Sequence, residues 1–288
     1  MSEHLEVLKT YKIYVNGNFP RTESGRYYKV FDSEKELLAN ACLCSRKDVR
    51  DAVKSARGAF SGWKSRNAYN RGQILYRIAE MLESRRAEFE KQLSTIGFSA
   101  AEAEADVNAS IDRLIYYAGW TDKYQQVFGS VNPVASAHFN FSLLDPTGVV
   151  AILAPDQSPL LGLVSLIAPA IAGGNTCVAL ASEPYPTTSI LFAEVLNASD
   201  VPGGVVNILT GKKEELAEHF SGHMDVNAII YTDTLTPEMI KMIDEQSTEN
   251  LKRVVKKITS DWYSSEAQSP YFITDFQETK TTWHPIGF

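Results

Sequence analysis

What this chain lacks excludes several classes of function. It has only three cysteines, Cys42, Cys44 and Cys177, without paired spacing. That argues against a disulfide framework or a zinc site and implies reduced thiols. Its longest apolar run, around Leu160 to Ala172, is interrupted by Gly162, Ser165 and Pro169, and is too short and broken to span a bilayer. The opening MSEHLEVLKTYK has no basic stretch followed by an apolar core, so no signal peptide is expected. Together these readings place the protein in the cytoplasm, with no membrane partner. Basic surface is scarce as well: 28 Lys and Arg stand against 35 Asp and Glu, a formal charge of −7. No basic cluster dominates any segment, so no nucleic-acid partner is expected. The run Lys252, Arg253, Lys256, Lys257 reads as a solvated strand or helix face.

What is present describes an ordinary globular chain. Its 288 residues, 44% hydrophobic and 22% charged, suffice for one large or two ordinary domains. YKIYVNGNFPRTESGRYYKVFD reads as a β-hairpin, with a strand from Tyr11 to Val15 and an Asn16-Gly17 turn. A short strand from Leu38 to Cys44 precedes Ser45, a candidate cap for a helix starting near Lys47-Asp48. That helix carries a stripe of Val49, Val53, Ala56, Phe60 and Trp63. Further helices are expected over about 70–93 and 100–124. From Gln125 to Pro146 the polar–apolar alternation predicts a strand or hairpin long enough to project, containing His138, Phe139 and Phe141.

Residues 145–233 organise the chain. Strands at 149–153, 176–181, 205–209 and 228–231 alternate with helices near Pro159, Pro186, Lys212 and Thr236-Pro237. This succession predicts a Rossmann-like parallel sheet flanked by helices, an α/β fold with ligands expected at the carboxyl ends of its strands. Those ends are Ala154 to Ser158, Ala181 to Pro186, Thr210-Gly211 and Thr232 to Leu235. Another strand is expected over Arg253 to Ile258, then a Ser-rich linker and a β-prone terminus, FITDFQETKTTWHPIGF.

The order of motifs resembles the aldehyde dehydrogenase superfamily over nearly the whole chain. IYVNGNF, RKDVRDAVKSARGAFSGW and NRGQILYRIAEMLESRRAEF resemble its N-terminal hairpin and first helices, and YYAGWTDKY a helical signature. PTGVVAILAP, APAIAGGNTCVA and VPGGVVNILTG resemble its nucleotide-binding core. NLKRVV resembles the strand leading to its general base, and FQETKTTW its terminal oligomerisation strand.

The family's chemistry needs a cysteine thiolate, an oxyanion-holding amide, a nicotinamide cofactor and a carboxylate that activates water. On the family's pattern, Pro155, Asp156, Gln157, Ser158 and Pro159 stand where it has proline, tryptophan, asparagine, a fourth residue and proline. Gln157 therefore moves the oxyanion amide by one methylene. Leu180 stands where a ribose-binding lysine is expected, and Glu183 matches the family's ribose-binding glutamate. Asp233, within Tyr231 to Leu235, replaces a phosphate-loop glycine. Lys257 and Thr259-Ser260 align with the general-base glutamate and its glycine pair. The segment that would carry the nucleophile is missing. Cys42 and Cys44 lie in an early strand, and Cys177 lies where a small buried hydrophobe is expected.

The closest likeness is to the degenerate C-terminal module of two-module aldehyde dehydrogenases, here free-standing behind an unstructured leader or excised from a longer chain. The resemblance implies a Rossmann-like domain over residues 1–128 and 148–262, and a β-flap over 129–147 and 270–288. It implies no catalytic residue and no metal, with Glu183 and Gln157 as vestigial cofactor-binding positions. No cofactor is expected; NAD(P) is the alternative. The expected role is non-catalytic: assembly or stabilisation of a complete aldehyde dehydrogenase subunit, or of itself, through the β-flap. The competing readings are an NAD(P)-binding oxidoreductase domain with residual cofactor binding and a plain scaffold within a larger protein.

Overall fold

The computed structural model describes residues 9–232, 235–257, 259 and 261–287; the leader, Asp233, Ile258 and Ser260 named above lie outside them. Strands β1 (Thr10–Tyr11), β2 (Tyr27–Phe31) and β3 (Leu37–Cys42) form a small sheet in the order β1-β3-β2. Asn16 and Gly17 make the expected turn, both with left-handed φ (54° and 72°), and close only the single bridge between Val15 and Asn18. No hairpin flanks it. Tyr14 instead exchanges backbone hydrogen bonds of 2.9 and 2.8 Å with Ile208 at the edge of the main sheet. The buried Tyr14 ring explains the difference, because seating a large aromatic in the core outweighs a short hairpin ladder.

Helix α1 (Arg46–Lys64) starts at Ser45, whose N–H and Oγ both donate to the Asp48 carboxylate at 2.7 and 2.9 Å. Its expected stripe is buried at Val49, Val53, Ala56 and Trp63, while Phe60 is half-buried. The expected helix over 70–93 is two, α2 (Ala68–Ser84) and α3 (Arg86–Thr95). The break falls at Arg85, whose guanidinium bridges Glu88 and Glu194, both at 2.7 Å. Helix α4 (Ala100–Trp120) opens on a Ser99–Glu102 capping box, and α5 (Tyr124–Phe128) follows.

The remaining elements are β4 (Ser130–Asn132), β5 (His138–Pro146), β6 (Val149–Leu153), α6 (Leu161–Ala172), β7 (Thr176–Leu180), α7 (Pro186–Asn197) and β8 (Val206–Leu209). They continue with α8 (Lys213–Ser221), β9 (Ala228–Thr232), α9 (Pro237–Ser247), β10 (Arg253–Lys257), α10 (Tyr271–Thr274) and β11 (Gln277–Pro285). Five strands form one parallel sheet, ordered β10-β9-β6-β7-β8. Burial on both faces explains why these strands read as continuous apolar runs. Val150 and Ile152 enter one core with α2, α4, α6 and α7; Val149, Ala151 and Leu153 enter another with α1 and α8. The chain winds outward from β6 in both directions, so the order reverses between β6 and β9, the position where such sheets open a crevice.

The antiparallel sheet β11-β5-β4 is the expected flap. β11 pairs with β5 from Gln277 opposite Pro146 to Pro285 opposite His138, and residues 278–285 are all exposed. One flap face carries a polar ladder: the Asn132 amide donates to Asn140 (2.6 Å) and Ser142 (2.9 Å), and Ser142 meets Thr281 at 2.8 Å. The other face carries Val131, Phe139, Phe141 and Leu143. Asp145 ties the flap to the body through Lys64 at 2.7 Å and also pairs with Lys280. The FITD stretch, expected to be extended, is helical as α10, because Ile273 and the following Phe276 are buried in the main core.

Candidate functional site at the carboxyl ends of the sheet

After β6 the chain passes through Ala154 to Pro159 into α6. The start of this helix would suit an anion. The protein supplies that anion itself. The Leu161 N–H donates to Oδ1 of Asp106 at 3.2 Å, and the Tyr263 hydroxyl donates to Oδ2 at 3.1 Å. Asp106 is fully buried on α4, and burial pushes its carboxyl up to about 6 against these two donors. Ser158 Oγ accepts from the Gly162 N–H at 2.8 Å. Gly162 is required there, since an added Cβ would lie 2.4 Å from Pro155.

The ends of β6, β7 and β8 meet in a closed network. The Glu183 N–H donates to Asp156 Oδ1 at 3.1 Å, and the Lys213 N–H donates to Glu183 Oε2 at 3.3 Å. Lys213 Nζ then pairs with Asp156 Oδ2 at 2.7 Å, with only 7% of its side chain exposed. The Tyr28 hydroxyl donates to the Glu183 carbonyl at 3.2 Å, sealing the network from the side of the small sheet. Burial pushes the Tyr28 phenol well above its ordinary range.

Glu183, singled out from the sequence, therefore sits in this network. Gln157, the other candidate, is exposed and lines a separate crevice with Phe98, Glu102 and Tyr263. Leu180 is fully buried in the apolar core facing α1 and α8 and offers no polar atom. Asp233 lies outside the described residues. Cys42, Cys44 and Cys177 are all buried, and burial raises the thiols of Cys44 and Cys177 far from reactivity. Among the described residues, no three His, Cys, Asp or Glu side chains are grouped to hold a metal, and no helix is long and apolar enough to cross a membrane.

Two groups escaped the sequence reading. Lys213 lies at the start of α8, a position that periodicity assigns to solvent, yet it is buried. The signal was the charged pair Asp156 and Lys213, each just past a strand end. The run expected to be solvated also splits. Lys252 is buried with its amine on the Asn250 side chain, Arg253 pairs with Glu278 at 2.9 Å, and Lys257 lies half-buried with Nζ 2.9 Å from the Phe272 ring centre. Only Lys256 is exposed.

The model of the aldehyde dehydrogenase family matches residues 20–260. Cytosolic aldehyde dehydrogenase 1 of Elephantulus edwardii is 32% identical over 255 residues, covering 86% of this chain and 50% of that protein. Human aldehyde dehydrogenase 1A1 is 33% identical over the same shares. Among solved structures, the NAD+ complex of an aldehyde dehydrogenase from Bacillus cereus superposes with a TM-score of 0.82 at 27% identity, covering 87% of this chain and 51% of that one. HpcC from Thermus thermophilus gives 0.82 at 28%, covering 87% and 48%. The chain spans about half the length of the curated relatives it matches.

Proposed function

Since the chain belongs to the aldehyde dehydrogenase family, we propose that it is a non-catalytic module of that family. It acts in assembly, docking through its β-flap onto a complete aldehyde dehydrogenase subunit or a second copy of itself. The observation that carries this reading is the flap. β11 is an edge strand exposed along residues 278–285, with no strand on its outer side among the described residues. Val131, Phe139, Leu143 and Trp283 are exposed beside it. An unprotected edge next to apolar surface is a site for strand addition from a partner.

The strand-end crevice supports the same reading. A dinucleotide fits the residues present poorly, since a ribose at Glu183 would have to displace the Lys213 N–H. At the position that the resemblance gives to the family's general base, this chain carries Lys257. A cytoplasmic setting is part of the proposal.

Sedimentation of the chain mixed with a complete aldehyde dehydrogenase tests the docking. A joint species is expected, and Phe139→Asp, which places a charge on the apolar flap face, should weaken it at least about tenfold. Separate sedimentation of the two proteins, together with a monomeric chain alone, would overturn it. The retained Glu183 favours one competing reading, residual NAD(P) binding. Calorimetric titration with NAD+ and NADP+ is expected to give no heat at millimolar cofactor, whereas saturable heat lost in Glu183→Gln would establish that alternative.

A further inference from the structure

The open edge of β11 begins just after Gln277. That side chain is buried and its Nε2 donates to the Gly173 carbonyl at 3.0 Å, which seats the start of the strand on the body. From Glu278 to Pro285 every residue is exposed. Side chains along the strand alternate between the two flap faces. Thr279, Thr281 and Trp283 lie on the face of the polar ladder, where Thr281 meets Ser142. Glu278, Lys280, Thr282 and His284 lie on the face of Phe139 and Phe141. Trp283 remains 57% exposed, with the His138 ring at 5.8 Å on one side.

We propose that the strand added to β11 is β11 of a second copy, antiparallel to it about a two-fold axis at Thr281. This rests on docking through the flap and adds the partner and the register. Residues directly opposite one another share a face of the sheet, so a two-fold pairing has to centre on a residue. A centre at Thr281 pairs the strand along its whole length, with Gln277 opposite Pro285. Pro285 has no N–H to offer, and it falls at the one position that the body already holds. Glu278 falls opposite His284, an acid facing a base. Thr279 falls opposite Trp283 on both sides of the axis, a β-branched residue against an aromatic ring. Lys280 falls opposite Thr282, and its ammonium is already answered by Asp145 of its own chain.

Neighbouring registers lose this match. A centre at Lys280 sets two ammonium groups face to face and drives Trp283 against the buried Gln277. A centre at Thr279 carries Trp283 past the strand to Asp275, beyond the end of α10. A centre at Thr282 shortens the ladder and sets Lys280 opposite His284. The pairing about Thr281 opposes no like charges. It joins three strands from each copy into one sheet, with the Phe139 and Phe141 faces side by side.

Single cysteines introduced along β11 test the register with the chain alone. Opposite Cα atoms in an antiparallel pair lie about 4.5–5.5 Å apart, within the roughly 4.4–6.8 Å that a disulfide spans. In a glutathione buffer, Thr281→Cys should therefore link into a dimer about tenfold or more faster than Thr279→Cys or Trp283→Cys. The two copies of either control residue would stand about 14 Å apart. An equimolar mixture of the two controls should give the mixed disulfide instead. The native thiols are buried and stay out of the exchange. Sedimentation of the unmodified chain should show a dimer that grows with concentration. Linkage fastest at another β11 position overturns the proposal and leaves docking through the flap standing. A monomeric chain with no preference for Thr281→Cys overturns it as well. A joint species with a complete aldehyde dehydrogenase would then keep the flap as a docking element, and its absence would remove both.

Discussion

Lys213 is held in the interior by one carboxylate, and that makes Asp156 more important than its partial exposure suggests. Removing one partner of a buried ion pair leaves an uncompensated charge. Asp156→Ala should therefore destabilise the protein by about 1–3 kcal/mol, the lower end reflecting the partly solvated carboxylate. The double variant Asp156→Ala/Lys213→Met should recover part of that loss, as urea unfolding would show. Asp106 gives a pH signature. Its folded-state carboxyl is raised from the ordinary range to about 6, so the folded state holds the proton more tightly than the unfolded chain. Its contribution is full below the unfolded value near 4 and is lost as pH rises through 6, a change on the order of 3 kcal/mol. Asp106→Asn should flatten the stability profile between pH 4 and 7. At this scale the sequence was partly legible. Leu180 and Glu183 were found through a family pattern, and the structure shows one apolar and buried, the other polar and engaged. Lys213 was missed because a helix-start lysine ordinarily faces water, and only the three-dimensional approach of β6 and β8 reveals its partner.

At the level of elements, the period-two and period-3.6 patterns placed the central strands and most helices within a residue or two. Doubly buried strands and capped amphipathic helices announce themselves locally. The Ser99–Glu102 box is such a signal, and Ser99→Ala should cost about 1 kcal/mol in thermal or urea unfolding, since it unsatisfies the first turn of α4. The misread elements were decided by distant contacts. The Asn16-Gly17 turn was correct, but Tyr14 answers to Ile208, nearly two hundred residues away. The helix expected over 70–93 breaks at Arg85 because that side chain reaches Glu194 on α7. α10 forms where extended chain was expected because Ile273 and Phe276 are drawn into the core. None of these pulls is written in local periodicity.

For the whole molecule, the parallel sheet and the flap are kept together while the strand ends have turned inward on themselves. Asp106 covers the start of α6, and Lys213 and Asp156 cross-link β6 with β8. The flap faces the opposite way chemically, with an open edge and exposed rings. Hydrogen exchange along β11 reads this division most directly, on the chain alone over a range of concentrations and in a mixture with a complete aldehyde dehydrogenase. The docking account predicts that the outward amides of residues 278–284 slow at least about tenfold when the partner or a second copy is present, with the strand-end loops unchanged. Exchange along β11 that stays fast at every concentration and in every mixture would contradict it.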